Sequence, residues 1–257
     1  MITLTSDFGL KDSYVAEMKG VILTINPNAT IIDITHGLEK FDVRLGAFML
    51  ASAAPYFPKG TVHLAVVDPG VGTERRAILI QTKQGFFVGP DNGVLMLAAQ
   101  NQRIKHTYEL ANPKFMFPKV SRTFHGRDVF APAVAHLDVG VKPSEFGPEI
   151  TDAVTPEFAS VKRRKGSLIG KILHIDSFGN LIININWKEI NQAKAVNVKM
   201  QNLSLKLEVA KTYAQAKPKQ PMALIGSHGF LEIALNQDSA AEKFHAEAGD
   251  SVEVTFA

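Results

Sequence analysis

The first third of the chain alternates between two apolar patterns. Short apolar runs at Ile2–Thr5, Ala29–Ile34 and Val62–Val67 are typical of buried β-strands. Between them, apolar positions recur at helical spacing over Tyr14–Ile25 and Asp42–Ala54. This alternation of strand and helix predicts a mostly parallel sheet with right-handed crossovers.

After the third strand the pattern becomes mixed. Ala77–Thr82 and Gly85–Val88 are predicted to form a strand pair joined by a turn. A short helix near Val94–Ala99, a strand at Ile104–Leu110 and a helix at Phe130–Leu137 follow. Together these elements predict an N-terminal α/β domain whose mostly parallel central sheet is flanked by helices.

The character of the chain changes between Val141 and Gly170, where prolines and glycines interrupt the periodicity. A charge run in this region, Lys162–Lys165, is expected to be a solvated linker face. Beyond it, short strand patterns separated by turns predict a smaller C-terminal antiparallel domain, a β-barrel or sandwich. The patterns are Ile169–Ile175, Leu181–Asn186, Val196–Met200, Leu203–Val209, Met222–Ile225, Phe230–Ala234 and Ser251–Phe256. The predicted domains are residues 1–155 and 156–257.

The composition is that of an ordinary globular protein, with 46% apolar and 21% charged residues. A net charge of +3 gives no reason to expect a nucleic-acid partner. The chain has no cysteine, which excludes disulfides, thiolate metal ligands and cysteine nucleophiles. No apolar run approaches the ~20 residues of a membrane helix, and no signal-peptide pattern is present. We therefore expect a soluble cytoplasmic protein without a membrane partner.

Polar clusters follow the predicted strands at the edge where open α/β sheets bind ligands. Asp68 ends the third strand and is followed by two glycines, Arg75 and Arg76. A carboxylate and guanidinium groups at a strand end are better suited to a ligand than to a core. A second polar stretch, Thr123–Asp128, contains His125 and precedes a predicted helix. We expect the two stretches to meet in one catalytic site.

Several familiar kinds of site fit the sequence poorly. Gly70-Val71-Gly72 begins like a dinucleotide fingerprint, but the third glycine is missing and a strand pattern follows. The sequence has neither a P-loop nor a Gly-x-Ser-x-Gly elbow. A metal site could use Asp7, Asp68 and His125, although no His-x-His or His-Glu-x-x-His spacing supports it. We predict a site that needs neither metal nor cofactor.

Asp68, Arg75 and His125 favour proton chemistry instead. An arginine beside an aspartate lowers the pKa of the carboxylate and orients it. A histidine within reach can accept a proton from water. The alternative is that Asp68 caps a turn, Arg75 is a surface charge and His125 is a loop residue.

Asp176–Asn180, which follows a predicted strand of the C-terminal domain, holds further candidates. The amide of Asn180 offers one acceptor and two donors, which suits the edge of a purine, and Phe178 can stack on a flat ring. A tight turn with Asn and Gly at positive φ explains the stretch equally well. Asp7 is similarly ambiguous, because it can cap the turn into the first helix or accept hydrogen bonds from ribose hydroxyls.

Six motifs occur in order along nearly the whole chain: Ser6–Gly9, Asp68–Arg76, Pro90–Gly93, Thr123–Asp128, Asp176–Asn180 and Gly226–Phe230. In combination they resemble the S-adenosyl-L-methionine (SAM) hydroxide adenosyltransferases, or SAM hydrolases, which are relatives of fluorinase and chlorinase. The resemblance implies an N-terminal α/β domain and a smaller, β-barrel-like C-terminal domain. It also implies a homotrimer, with SAM between the N-terminal domain of one subunit and the C-terminal domain of its neighbour. The implied reaction is hydrolysis of SAM to adenosine and L-methionine without a metal.

The resemblance also implies roles for single residues of the N-terminal domain. Asp68, Arg75 and His125 match the catalytic set of the family. Asp7 matches the residue that holds the ribose hydroxyls. Phe124 and Gly126 match the residues that line the space around the nucleophile. Because Arg76 is adjacent to Arg75, the assignment of the arginine rests on spacing alone.

In the C-terminal domain the resemblance implies contacts to the two ends of SAM. Asp176 matches the acid that meets the methionine ammonium. Ser227, with the backbone around His228, matches the turn that takes the methionine carboxylate. Phe178 and Asn180 match residues that contact adenine. Asn236 and Gln237 lie where the backbone of the family closes over adenine.

Within this family, single positions separate hydrolases from halogenases. The halogenases have tyrosine at the positions of Asp68 and His125, and the fluorinase has serine at Gly126. The resemblance therefore points to water rather than halide. His228 stands where the halogenases have arginine, and Ile182 where the fluorinase has a stacking tryptophan. The alternatives are a SAM-dependent halide adenosyltransferase and a SAM- or adenosine-binding module without turnover.

Overall fold

The structure is a computed structural model that describes residues 1–190, 193–201 and 203–256. The chain divides into two compact units, Met1–Thr155 and Pro156–Ala257. The first unit contains a parallel-rich sheet and the second an antiparallel, barrel-like sheet, and each has its own apolar core. The predicted fold class is confirmed. No helix in the described ranges combines the length and the apolar character needed to cross a bilayer.

The first unit, which is described without gaps, holds a six-stranded sheet in the order β2-β1-β3-β5-β4-β6. The neighbours among β2, β1, β3 and β5 run parallel, whereas β4 is antiparallel to both β5 and β6. The predicted strand–helix alternation and strand pair are both confirmed. The elements are β1 Ile2–Ser6, α1 Tyr14–Ile25, β2 Ile31–Thr35, α2 Val43–Ala53, β3 Val62–Val66, β4 Ala77–Thr82, β5 Phe86–Pro90, α3 Met96–Asn101, β6 Ile104–Glu109 and α4 Ala131–Asp138.

β3 lies at the centre of this sheet, between β1 and β5. Its register with β1 runs from Val62 opposite Ile2 to Val66 opposite Ser6. Every residue of β1 and β3 is buried. α4 packs on both strands, α2 packs on β1 and β2, and α3 packs on α2 and β4. The carboxyl ends of these parallel strands share one edge, which brings Asp7 and Asp68 to the same side of the unit.

The buried face of α2 differs from the predicted one. The sequence pattern predicts a stripe that includes Leu45, Phe48, Met49 and Ala53, but only Phe48 of these is fully buried. The helix packs against both the sheet and α3, so its contacts come from two directions rather than from one. The buried positions are Gly46, Ala47, Phe48, Leu50 and Ala51.

The second unit is an antiparallel sheet in the order β11-β10-β14-β8-β9-β13-β12, with β7 paired to β8. A bridge between Val209 and Ala223 links the end of β11 to β12, so the sheet is nearly closed into a barrel. Every predicted strand is present. The charge run is exposed as predicted, but Lys162–Arg164 forms a strand rather than a linker. The elements are β7 Lys162–Arg164, β8 Ser167–Ile175, β9 Leu181–Asn186, α5 Trp187–Ile190, β10 Ala195–Met200, β11 Leu203–Glu208, β12 Pro221–Ile225, β13 Phe230–Leu235, α6 Ala240–Phe244 and β14 Ser251–Phe256.

Leu64, at the middle of β3, is fully buried in the core of the first unit. We expect Leu64→Ala to lower the free energy of unfolding by about 2–5 kcal/mol, because it removes buried methyl groups and leaves a cavity. Urea unfolding followed by circular dichroism measures the change. Leu23→Ala is the matched control, because Leu23 on α1 is 43% exposed. The control should stay within about 0.5 kcal/mol, and equal losses in both variants would contradict the placement of β3.

Candidate active site

Asp68 and Arg75 form a two-pronged ion pair just beyond the carboxyl end of β3. Nε of Arg75 donates to Oδ1 of Asp68 at 3.0 Å, and Nη2 donates to Oδ2 at 2.5 Å. The two side chains are only 5% and 10% exposed. Because two parallel bonds hold the carboxylate, the orientation of both groups is fixed.

His125 joins this pair through the same guanidinium. Nη2 of Arg75 lies 2.8 Å from Nδ1 of His125. A guanidinium can only donate hydrogen bonds, so Nδ1 must accept, and the neutral imidazole carries its proton on Nε2. Partial burial and the positive charge of Arg75 lower the pKa of His125, outweighing the opposite influence of Asp68 and Asp128. His125 is therefore uncharged at neutral pH.

Arg76 faces away from this set. Its Nε donates to Oδ2 of Asp91 at 2.9 Å, and its Nη1 donates to Oδ1 of Asp152 at 2.7 Å. Adjacent side chains on a chain entering a strand point to opposite sides, which separates the two arginines. Spacing along the sequence left open whether Arg75 or Arg76 joins Asp68. In the structure, Arg75 is the arginine that contacts Asp68 and His125.

The two predicted stretches meet because a glycine allows their backbones to approach. Gly72 has φ of +77°, and a Cβ at this position would lie 2.2 Å from the carbonyl oxygen of Arg122. His125 follows three residues later and directly precedes a π-helical turn, Gly126–Phe130, that leads into α4. Irregular helical turns of this kind are frequent at functional sites.

A cavity of about 410 Å³ opens at this edge of the first unit. Among the predicted site residues it is lined by Asp7, Asp68, Phe124, His125 and Gly126. The sequence interpretation missed other residues of the lining, which are Phe8, Asp12, Tyr14, Lys40, Phe41, Val66, Val71 and Thr123.

Two of the missed residues could have been found from topology. Lys40 and Phe41 follow β2, whose carboxyl end lies at the same sheet edge as those of β1 and β3. The N–H of Phe41 donates to Oδ2 of Asp7 at 2.9 Å. Asp7 therefore fixes the loop after β2 and does not cap the turn into α1, which was one of its two predicted roles.

Aromatic side chains form one wall of this cavity. Phe8, Tyr14 and Phe124 pack against each other, with ring centroids 5.1–5.8 Å apart. A Cβ at Gly126 would come within 3.2 Å of both Phe124 and Met18, so this position has little room for a side chain. The wall gives this side of the cavity an aromatic, largely apolar surface.

A second cavity, of about 610 Å³, lies in the second unit. Its lining includes the predicted residues Asp176, Phe178, Asn180, Asn236 and Gln237. The sequence interpretation missed Tyr213, Leu235, Asp238 and Ser239, which also line it. Polar groups and an aromatic ring are thus brought together as the purine interpretation requires.

The tight turn that was the alternative interpretation of Asp176–Asn180 is also present, although Gly179 has the predicted positive φ and Asn180 does not. Oδ1 of Asp176 accepts from the N–H groups of Phe178 and Asn180, both at 2.9 Å. Oδ2 accepts from the Asn180 amide at 2.9 Å, and Gly179 has φ of +80°. The turn leaves Phe178 78% exposed at the cavity. The two interpretations are therefore compatible.

Ser227 and His228 lie in the turn that joins β12 to β13. Nδ1 of His228 accepts from the N–H of Phe230 at 3.2 Å, and Nε2 lies 3.5 Å from the buried carboxylate of Glu232. Both ring nitrogens of His228 thus have partners within the chain. Ile182, the other departure from the halogenases, is buried and only 3% exposed.

The suggested metal ligands do not form a ready metal site. Within the described residues, no three His, Asp or Glu side chains converge on a point that could hold an ion. This holds for Asp7, Asp68 and His125 although all three line the same cavity. The site instead consists of an ion pair, an uncharged imidazole and an aromatic wall.

Comparison with known proteins identifies the class of enzyme. The profile of the SAM hydroxide adenosyltransferase N-terminal domain matches residues 2–147, and that of the C-terminal domain matches residues 170–253. The (R)-S-adenosyl-L-methionine hydrolase of Methanocaldococcus jannaschii is 37% identical over 100% of this chain and 96% of its own length. The chain therefore belongs to the SAM hydroxide adenosyltransferase family, as the motifs predicted.

More distant relatives and solved structures agree with this assignment. The fluorinase of Actinoplanes sp. is 30% identical over 100% of this chain and 98% of its own length. An uncharacterized conserved protein from Thermotoga maritima has a crystal structure with a TM-score of 0.84 and 37% identity. That match covers 99% of this chain and 100% of the Thermotoga maritima chain.

The close approach at Gly72 predicts a specific sensitivity. We expect Gly72→Ala to destabilise the protein by at least about 1–3 kcal/mol, because it adds backbone strain at positive φ and a clash with Arg122. Gly60→Ala is the matched control, since Gly60 also has positive φ (+91°) but no atom within 4 Å of an added Cβ. Urea unfolding compares the two variants. Equal losses would contradict the contact between the two stretches.

Proposed function

We propose that this protein hydrolyses SAM to adenosine and L-methionine. The observation that carries the proposal is the arrangement of Asp68, Arg75 and His125. Asp68 and His125 line one cavity, and Arg75 donates hydrogen bonds to both of them. A relative at 37% identity, matched over nearly its full length, is named (R)-S-adenosyl-L-methionine hydrolase. The protein is thus an enzyme that acts on SAM with water.

The reaction is a displacement at the 5′ carbon of the ribose. The oxygen of water forms a bond to this carbon while the bond from the carbon to sulfur breaks. The electron pair of the broken bond goes to sulfur, which becomes the neutral thioether of methionine, and water loses one proton. Because the sulfonium is already a good leaving group, the enzyme needs chiefly to hold water in line, which can contribute up to about 7–11 kcal/mol.

The tautomer of His125 changes the role predicted for it. With Nδ1 accepting from Arg75, the nitrogen left for the nucleophile is Nε2, and it carries a proton. His125 therefore donates to the water oxygen and orients its lone pair instead of removing its proton. Asp68 lines the same cavity and is acceptor-only, so it receives the proton from water. Arg75 holds both partners.

The absence of charge on His125 also suits the substrate. SAM carries a positive sulfonium, which an imidazolium in the same cavity would repel. Arg75 is paired with Asp68, and burial together with Arg75 keeps His125 uncharged. The bound sulfonium in turn attracts the oxygen, which becomes negative as its proton leaves.

The remaining site residues are assigned to substrate binding. Asp7 holds the ribose hydroxyls, and Phe124 and Gly126 enclose the nucleophile. Support comes from their common cavity and from the restricted space at Gly126.

The second unit supplies the groups for adenine and methionine. Phe178 and Asn180, with the backbone of Asn236 and Gln237, contact adenine, and these residues line the 610 Å³ cavity. Asp176 meets the methionine ammonium. Ser227 and the backbone around His228 bind the carboxylate, an assignment favoured by the engagement of the His228 ring with Glu232.

The homotrimer, the cytoplasmic location and the absence of a metal or other cofactor remain proposals that rest on the family resemblance and the sequence. Light scattering of the purified protein tests the first of these. A homotrimer requires a mass three times that of the 28.0-kDa chain. A monomer or dimer at working concentration would contradict it.

Product analysis tests the function. Incubated with SAM in halide-free buffer containing a chelator, the protein should release adenosine and methionine in equal amounts, measured by chromatography. His125→Ala should lower kcat by about 10²–10³-fold, because it removes a donor aimed at the nucleophile. His106→Ala is the matched control, since His106 is an exposed histidine paired with Glu149.

Three outcomes would contradict the proposal. Bound but unconverted SAM would indicate a binding module. Product only in the presence of halide would indicate a halide adenosyltransferase. Equal activity in the His125→Ala variant and its control would exclude His125 from the reaction.

The pH dependence of kcat/KM tests the state of His125. Activity requires the uncharged ring, and its pKa is lowered by burial and by Arg75. The midpoint of protonation therefore lies below the ordinary histidine value of about 6.5, so the midpoint of the acid limb should also lie below that value. An acid limb above about 6.5 would contradict the contact between Arg75 and His125.

A further inference from the structure

The motif Pro90–Gly93 has no role in the reaction as described so far, yet it contacts the catalytic loop twice. This loop runs from Val67, just after β3, to Arg76, just before β4, and carries Asp68 and Arg75. Neither Asp91 nor Asn92 belongs to the lining of the 410 Å³ cavity in the fully described first unit. Their contacts are with the chain and not with the space for substrate.

Asn92 holds the first end of the loop. Its Nδ2 donates to the carbonyl oxygen of Val67 at 2.8 Å, next to Asp68. Its Oδ1 accepts from the N–H of Val94 at 3.1 Å, which fixes which side of the amide faces Val67. The ladder between β3 and β1 ends one residue earlier, at Val66. The amide thus continues the hydrogen bonding of β3 up to the catalytic aspartate.

Asp91 holds the other end. Its Oδ2 accepts from Nε of Arg76 at 2.9 Å, and its Oδ1 accepts from the N–H of Val154 at 2.8 Å. The Asp91 side chain is only 2% exposed. Its own N–H donates to the carbonyl oxygen of Arg76 at 2.9 Å. Side chain and backbone of one residue therefore anchor Arg76.

Anchoring Arg76 also orients its neighbour. Nη1 of Arg75 donates at 3.4 Å to the same Arg76 carbonyl that Asp91 binds. With the side chain of Arg76 held on one side of the chain, the side chain of Arg75 is directed to the other side, toward Asp68 and His125.

We propose that Asp91 and Asn92 are positioning residues that hold the two ends of the catalytic loop and so place Asp68 and Arg75 for the reaction. The proposal rests on the proposed function only for its kinetic test. Displacing reacting groups by about 1 Å can cost a factor of about 10² in rate, so a small shift of this loop has a measurable effect.

Kinetics of Asn92→Ala and Asp91→Ala test the proposal. We expect kcat to fall by about 10–100-fold while KM for SAM changes by less than about threefold, because substrate contacts remain and the reacting groups are displaced. Asn92→Asp should behave like the alanine variant, since it replaces the donor facing Val67 by an acceptor. Asp91→Asn, which keeps the shape, is the second variant if Asp91→Ala does not fold.

The chain offers matched controls for both residues. Asn112 makes the same pair of bonds as Asn92, with Nδ2 donating to the Glu145 carbonyl at 2.8 Å and Oδ1 accepting from Lys114 at 3.1 Å. Asp152 binds the same arginine as Asp91 but is 75% exposed. Asn112→Ala and Asp152→Ala should keep kcat within about twofold of the unaltered enzyme, whatever their effect on thermal stability.

A second readout does not depend on turnover. Burial and Arg75 from the loop lower the pKa of His125, whereas Asp68 from the loop and Asp128 from the π-helical turn raise it. If Arg75 loses its anchor, the pKa of His125 should rise in Asp91→Ala, as measured by NMR titration of the His125 ring. The controls should leave it unchanged. This readout remains informative even if SAM is not the substrate.

Two results would overturn the proposal. One is a rise in KM with unchanged kcat, which would make Asp91 and Asn92 substrate contacts. The other is a loss of thermal stability in both variants without any change in kcat or in the titration of His125. That result would leave the two residues with a purely structural role.

Discussion

The guanidinium of Arg75 is the group on which the rest of the site depends. It can donate hydrogen bonds and cannot accept them, so every partner that it contacts must present an acceptor. This single constraint orients the carboxylate of Asp68 and places the proton of His125 on Nε2. Together with burial, it also keeps His125 uncharged. The proposed roles of Asp68 as the acceptor and His125 as the donor at the attacking water follow from the chemistry of the arginine.

The fold supplies this arrangement through two features of its backbone. Parallel strands bring Asp7 and Asp68 to one edge of the first sheet, where ligands of α/β proteins bind. Gly72 then lets the loop after β3 pass close to the carbonyl of Arg122, which brings His125 to the ion pair. Both features join segments that are far apart in the sequence. The site therefore forms only when the first unit is folded.

Much of the fold could be predicted from the sequence, because the spacing of apolar residues and the positions of glycine and proline are local properties. The strands β1 and β3, the helix α1 and the strands β8 to β14 of the second unit follow from apolar spacing. The buried face of α2 could not be predicted, since contacts with α3 and the sheet decide it. The partners of Arg76, Asp91 and Asp152, could not be predicted either, because they lie 15 and 76 residues further along the chain. The tautomer of His125 depends on a contact between two side chains that lie 50 residues apart in the sequence.

The central claim is that water attacks the 5′ carbon of SAM, with Asp68, Arg75 and His125 holding it in place. Turnover in water enriched in ¹⁸O tests this claim most directly, with mass spectrometry of both products. We expect one ¹⁸O atom in adenosine, at the 5′ hydroxyl, and none in methionine. Unlabelled adenosine, or label in methionine, would contradict it.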